Sequence, residues 1–117
     1  MRAVSSPTDT GTALRWREAE MSNLLALVRV AFEQGHDEIA WRLPATLFGY
    51  FTVAKPWAAW IGMHRVGPAA ASLLGDLEGT AEMHNNLAVA LGLTNRPDLA
   101  IEHLRHALAT NTTRGAD

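Results

Sequence analysis

A chain of 117 residues, 48% of them apolar and with a formal net charge of −2, is sized for one domain and too apolar to remain a disordered coil. That charge gives no reason to expect nucleic acid, which calls for a basic face, and Arg15, Arg17, Arg29, Arg42, Arg65, Arg96 and Arg105 are scattered rather than clustered. The absence of cysteine excludes disulfides and thiolate metal sites. No apolar run nears the roughly 20 residues that span a bilayer, and segment 1–12 lacks the apolar block of a signal peptide. No membrane partner is expected, and the cytoplasm is the default location.

Segment 1–12, rich in Ser, Thr, Pro and Gly, reads as a flexible lead-in. From there Leu14, Met21, Leu25, Val28 and Phe32 recur at helical steps, predicting a first helix over 13–34 that Gly35 terminates. Asp37 is a suitable N-cap for a second helix carrying Ile39, Trp41, Leu43, Leu47, Phe48 and Phe51. Pro44 lies inside it and removes the hydrogen bond to the Ala40 carbonyl, so a kink or a late start near Pro44 is expected. Lys55-Pro56 opens a third helix with Trp57, Trp60, Ile61 and His64, disturbed at Gly67-Pro68 and resuming through Leu74. Gly75-Asp76 is a terminator followed by a cap, and a fourth helix runs to about Leu93. After the turn Asn95-Arg96-Pro97, a fifth carries Leu99, Ala100, Ile101, Leu104, Ala107 and Leu108, and residues 111–117 read as a frayed tail. No stretch alternates with period two, so the expected class is all-α with about five helices.

Within the last two helices the residues fall into repeat slots. With Ala81 as the first position, His84 takes the slot usually held by Trp, Leu87-Ala88 the Leu-Gly slot, Leu91 the Tyr slot, Ala100 the small slot and Leu104 the Phe slot. Small residues at 88, 100 and 107 let two helices approach, while Leu87, Leu91 and Leu104 fill the seam. That spacing is the signature of a tetratricopeptide repeat over 81–114. A shift of 40 aligns Leu47 with Leu87, Phe51 with Leu91, Ile61 with Ile101 and Arg65 with Arg105, giving a degenerate repeat over 41–74. The first helix then belongs to a still earlier pair. Antiparallel helix pairs stacked as a short right-handed α-superhelix over 13–110 are the expected architecture.

The run 16–28, from Trp16-Arg17-Glu18 through Met21 to Leu24, Leu25, Leu27 and Val28, resembles the opening of the helical-repeat region in certain large bacterial regulators. These are the antibiotic-regulatory and related signal-transduction ATPases, which join a winged-helix activator domain and a nucleotide-binding switch to tetratricopeptide repeats. Ile39-Ala40-Trp41-Arg42-Leu43, Trp57-Ala58-Ala59-Trp60, Asn86-Leu87-Ala88 and 100–104 resemble the same region continued, so the likeness spans 13–109. It implies a sensor or scaffold segment that holds a protein partner or other domains of the same regulator, with ATP and DNA handled elsewhere. No phosphate-loop motif occurs in the chain, and no cofactor is expected.

The first helix of each pair lines the concave side in such arrays. The resemblance therefore puts Arg42, Ala45, Gly49 and Thr52, with Glu82, Asn85, Val89 and Leu93, on the protein-binding face. Asn86 holds a slot that is structural in this family. A different use of the chain is a small-ligand sensor built on Trp41, Phe48, Trp57 and Trp60, although the helical stripe these residues form is more simply core. His103 and His106 stand at i and i+3, a spacing that can serve a metal, with Glu102 and His84 able to approach. No further ligand set completes them, and the simpler reading is two surface histidines. Ser5, Ser6, Ser22 and Ser72 sit in no nucleophile motif, so catalysis is not expected. Terminal stripes are left without partners at Ile101, Leu104 and Leu108 and at Leu24, Leu27 and Phe32, and from these a homodimer is expected.

Overall fold

The left-handed backbone residues of this chain recur at a fixed interval of 20. They are Gly35 (φ 81°), Lys55 (φ 54°), Gly75 (φ 72°) and Asn95 (φ 62°), and each ends a helix. The computed structural model describes residues 10–115. They form five helices, α1 (Thr10–Glu33), α2 (Asp37–Ala54), α3 (Trp57–Leu73), α4 (Leu77–Leu93) and α5 (Pro97–Gly115). No strand occurs among the described residues.

Three of the turns share one hydrogen-bond pattern. His36 N–H donates to Ala31 O at 2.7 Å, Asp76 N–H to Ala71 O at 3.0 Å and Arg96 N–H to Leu91 O at 2.8 Å. These close the C-terminal carbonyls of α1, α3 and α4 as Schellman motifs, which require the left-handed residue between them. Asp76 caps α4 through Oδ1, which accepts from Gly79 N–H at 2.8 Å. The corresponding expectation for Asp37 is corrected. His36 holds the N-cap position of α2 without a side-chain bond, and Asp37 is already in the first turn, where its charge suits the helix dipole.

Several helix limits also differ from those expected. Helix α1 begins at Thr10, inside the segment read as a lead-in, while residues 1–9 lie outside the described ones. Neither Pro44 nor Gly67-Pro68 interrupts its helix. Both prolines are buried, so packing on either side holds a helix that lacks one backbone bond at each. Helix α5 continues past Thr110, whose hydroxyl donates to His106 O at 2.9 Å, as far as Gly115; 116–117 lie outside the described residues.

Each helix packs on the next, and α1 also meets α3 as α2 meets α4. The product is extended, 58 × 33 × 18 Å with a radius of gyration of 15.9 Å, where a compact chain near this length has about 13 Å. This layout is compatible with a helical-repeat arrangement, and it divides the core into two clusters. One gathers Val28, Phe51, Trp60, Met63, Leu87 and Leu91; the other gathers Ala31, Trp41, Ala70, Ala71 and Met83.

Three glycines mark the tightest seams. A Cβ at Gly62 would stand 2.9 Å from Leu25 of α1, one at Gly67 2.5 Å from Met83 Sδ of α4, and one at Gly79 2.9 Å from the Trp41 ring of α2. Ala88, Ala100 and Ala107 are buried as the repeat spacing requires, and Leu87 and Leu91 are buried beside them. Leu104 departs from expectation. It is 48% exposed instead of filling the seam, because no described helix packs on the far side of α5.

Candidate functional site

Helices α2 and α4 are neighbours, and the residues expected to bind a partner lie on these two helices. Arg42, Gly49, Thr52, Glu82, Asn85, Val89 and Leu93 are exposed there, and Ala45 is half-buried. Arg42 pairs with Glu38 and lies 4.6 Å above the Trp41 ring. Its guanidinium is held above its ordinary value first by the bond to Glu38, with weaker attraction from Asp76 and Glu82. Glu82, a whole helix pair further along the chain, makes the smallest of these contributions. Asn86 is buried, and its backbone carbonyl accepts from the Trp60 indole at 3.1 Å, a packing position.

The four aromatic residues considered as a ligand pocket fall into two different core clusters. Trp41 packs with Met83 and the α3 alanines and abuts Gly79. Trp60 is fully buried in the other cluster, between Phe51 (centroids 5.9 Å) and Trp57 (5.3 Å), with Phe48 edge-on at 5.6 Å. Trp57 lines a surface depression, together with Met21, Tyr50 and Lys55. Rings stacked in this way fill space rather than enclose it.

A second feature lies on the opposite side of the stack. Whereas α1 packs directly on α3, α3 and α5 do not come together, and a groove of about 630 Å³ runs between them over α4. Gly62 admits Leu25 at the first junction; at the second, α3 presents His64, Arg65 and Pro68. The facing wall is His103 and His106, and the floor is Thr80, His84 and Leu87. His84 Nδ1 lies 2.9 Å from His103 Nδ1, and the His84 ring stacks on His106 at 4.9 Å.

Burial pushes His64 down to about 4, and only its Nδ1 contact with Trp60 O at 3.0 Å works against that. A carbonyl can only accept, so the Nδ1 proton is donated and Nε2 is left bare, buried and without a hydrogen-bond partner. His84 is likewise pushed down to about 4, first by burial and then by like charge on His103 and His106. His103 is lowered by burial, with Glu102 opposing and His106 and Arg65 adding to the shift.

The pairing of His103 and His106 was visible in the sequence, and so was the possible approach of His84. Their meeting with His64 and Arg65 was not. The available signal is the interval of 20 between His64 and His84, which places both at matching positions of successive helices. No three His, Asp or Glu side chains among the described residues form a preformed metal-binding group. No helix of the described residues is long and apolar enough to cross a membrane. Comparison with known proteins gave no match to a family model, a curated protein or a solved structure.

Proposed function

We propose that this chain is a non-catalytic protein-interaction module of tetratricopeptide type, a segment or relative of the bacterial signal-transduction regulators that its sequence resembles. The observation carrying this reading is the α2–α4 face, where the side chains predicted from two separate repeat slots stand exposed on adjoining helices. Its chemistry is mixed. Glu82 and Asn85 offer polar contacts, while Val89 and Leu93 expose apolar surface one and two turns further along α4. Such a face suits a peptide or helix with an apolar stripe and a cationic or amide side chain beside it.

The exposed stripe of Ile101, Leu104 and Leu108 supports a second element of the proposal, a homodimer formed through α5. The decisive experiment for the main reading is affinity capture with a tagged chain and its Val89→Glu/Leu93→Glu variant, both checked for helicity by circular dichroism. A partner retained by the first and lost by the second is the expected result. Equal capture by both moves binding away from the α2–α4 face.

A further inference from the structure

The groove between α3 and α5 has a composition unlike the rest of the surface. Its lining holds four imidazoles and one guanidinium, and no carboxylate. Arg65 is exposed on the wall and makes no ion pair among the described residues, and its charge is felt by His103 across the groove. Glu102, beside His103 on α5, is the acidic group that acts on the cluster, but it is not part of the lining.

The hydrogen-bonding capacity of this lining is mixed. His64 is fully buried and its bare Nε2 has no surface open to the groove, so this ring backs the lining without offering it a contact. The Nδ1–Nδ1 contact between His84 and His103 requires one ring to donate and the other to accept. In neutral imidazoles this leaves an Nε2–H donor on the accepting ring and a bare Nε2 on the donating one. Arg65 adds a fork of donors with a fixed positive charge. His84 and His103 are half-buried, so the bare Nε2 of the donating ring is the acceptor that this lining offers a ligand.

We propose that the α3–α5 groove binds a small oxyanion that itself carries a hydroxyl, namely a hydrogen phosphate or hydroxy-carboxylate group. Arg65 holds the charged oxygens, and the bare Nε2 of the His84–His103 pair accepts from the hydroxyl. The two parts of the ligand answer two different features of the lining: an unpaired cation and a bare acceptor. Charge alone meets only the first. This site lies on the face opposite the proposed protein-binding surface, and it stands or falls separately from that reading.

The test is a titration of the full chain at pH 7 and constant ionic strength, followed by calorimetry and by the histidine side-chain resonances. The probes are inorganic phosphate, citrate, sulfate and zinc ion. The expected result is saturable binding of phosphate or citrate, with the largest shifts at His84, His103 and His106. Which of the two binds more tightly distinguishes a phosphate from a hydroxy-carboxylate ligand. Sulfate, which carries no proton at this pH, should bind at least tenfold more weakly. Arg65→Gln, a change at an exposed position, should cost at least tenfold with helicity intact, and Arg96→Gln should change nothing. The proposal is overturned if Arg65→Gln binds as well as the native chain, if sulfate equals phosphate and citrate, if neither anion saturates, or if the histidine resonances answer to zinc alone.

Discussion

The Trp60 indole N–H donates to the backbone carbonyl of Asn86 at 3.1 Å, tying the first turn of α3 to the middle of α4 inside the core. Trp60 is the largest fully buried side chain, and its bond reaches a carbonyl that already serves its own helix. Trp60→Phe removes the donor and part of the ring, and should cost about 1–3 kcal/mol. Trp60→Ala should cost about 3–5 kcal/mol through the cavity it leaves. Urea denaturation of the three proteins checks both values, and equal midpoints for native and Phe forms would remove the bond from the account.

Gly67 and Gly49 both lie inside helices, and alanine at the two should have opposite effects. A Cβ at Gly67 would meet the buried Met83 sulfur at 2.5 Å, so Gly67→Ala forces a shift in a packed seam and should destabilise by about 1–3 kcal/mol. Gly49 has nothing within 4 Å of the added atom, and Gly49→Ala should stabilise by about 0.5–1 kcal/mol through helix propensity. Thermal melts of the pair give the sign of each directly.

Acid should loosen the α3–α5 side of the molecule. His64 and His84 are held near 4 in the fold, while in the unfolded chain they titrate near the ordinary value of 6.5. Between these values the unfolded state binds more protons, so stability rises with pH across that window. The contribution is fully present above about 6.5, falls as the pH drops, and levels off below about 4. Unfolding free energy measured from pH 7.5 to 5 should decline, and His84→Asn should flatten part of the decline. A profile already flat in the native chain would contradict the burial of these rings.

Light scattering across a dilution series tests the proposed homodimer. A mass above that of the monomer at tens of micromolar is expected, and Leu104→Glu should return it to the monomer. A dimer that survives this substitution places the contact elsewhere, with α1 and its exposed Leu27 the next candidate.

Legibility from sequence followed the physics that each feature obeys. Helix number and type were readable because apolar side chains return every three or four residues and glycines or Lys-Pro mark the breaks. Burial of Leu87, Leu91 and the alanines followed from the same period. Leu104 was misjudged because its slot presumes a following helix, and that is a property of the stack rather than of the residue. The continuity of α2 and α3 through Pro44 and Pro68 was missed for a related reason, since tertiary packing outweighed a local penalty. Gly62, Gly67 and Gly79 gave no sign of their role, because a close approach depends on which side chain arrives from another helix. The histidine groove was half visible. The i,i+3 pair on α5 is a local pattern, whereas its meeting with His64 and Arg65 depends on a gap between helices two apart in the chain.

The left-handed residues at 35, 55, 75 and 95 set a parity for the chain. Each unit of 20 residues sends the backbone once across the stack and turns it round. Excising one such unit would therefore reverse the direction of every helix that follows and exchange its solvent face for its seam. Excising two would restore both, leaving a shorter molecule with its remaining surfaces in register. Viable length variants of this architecture should thus differ by pairs of helices, and a break in that rule should coincide with a change in the surface used for binding.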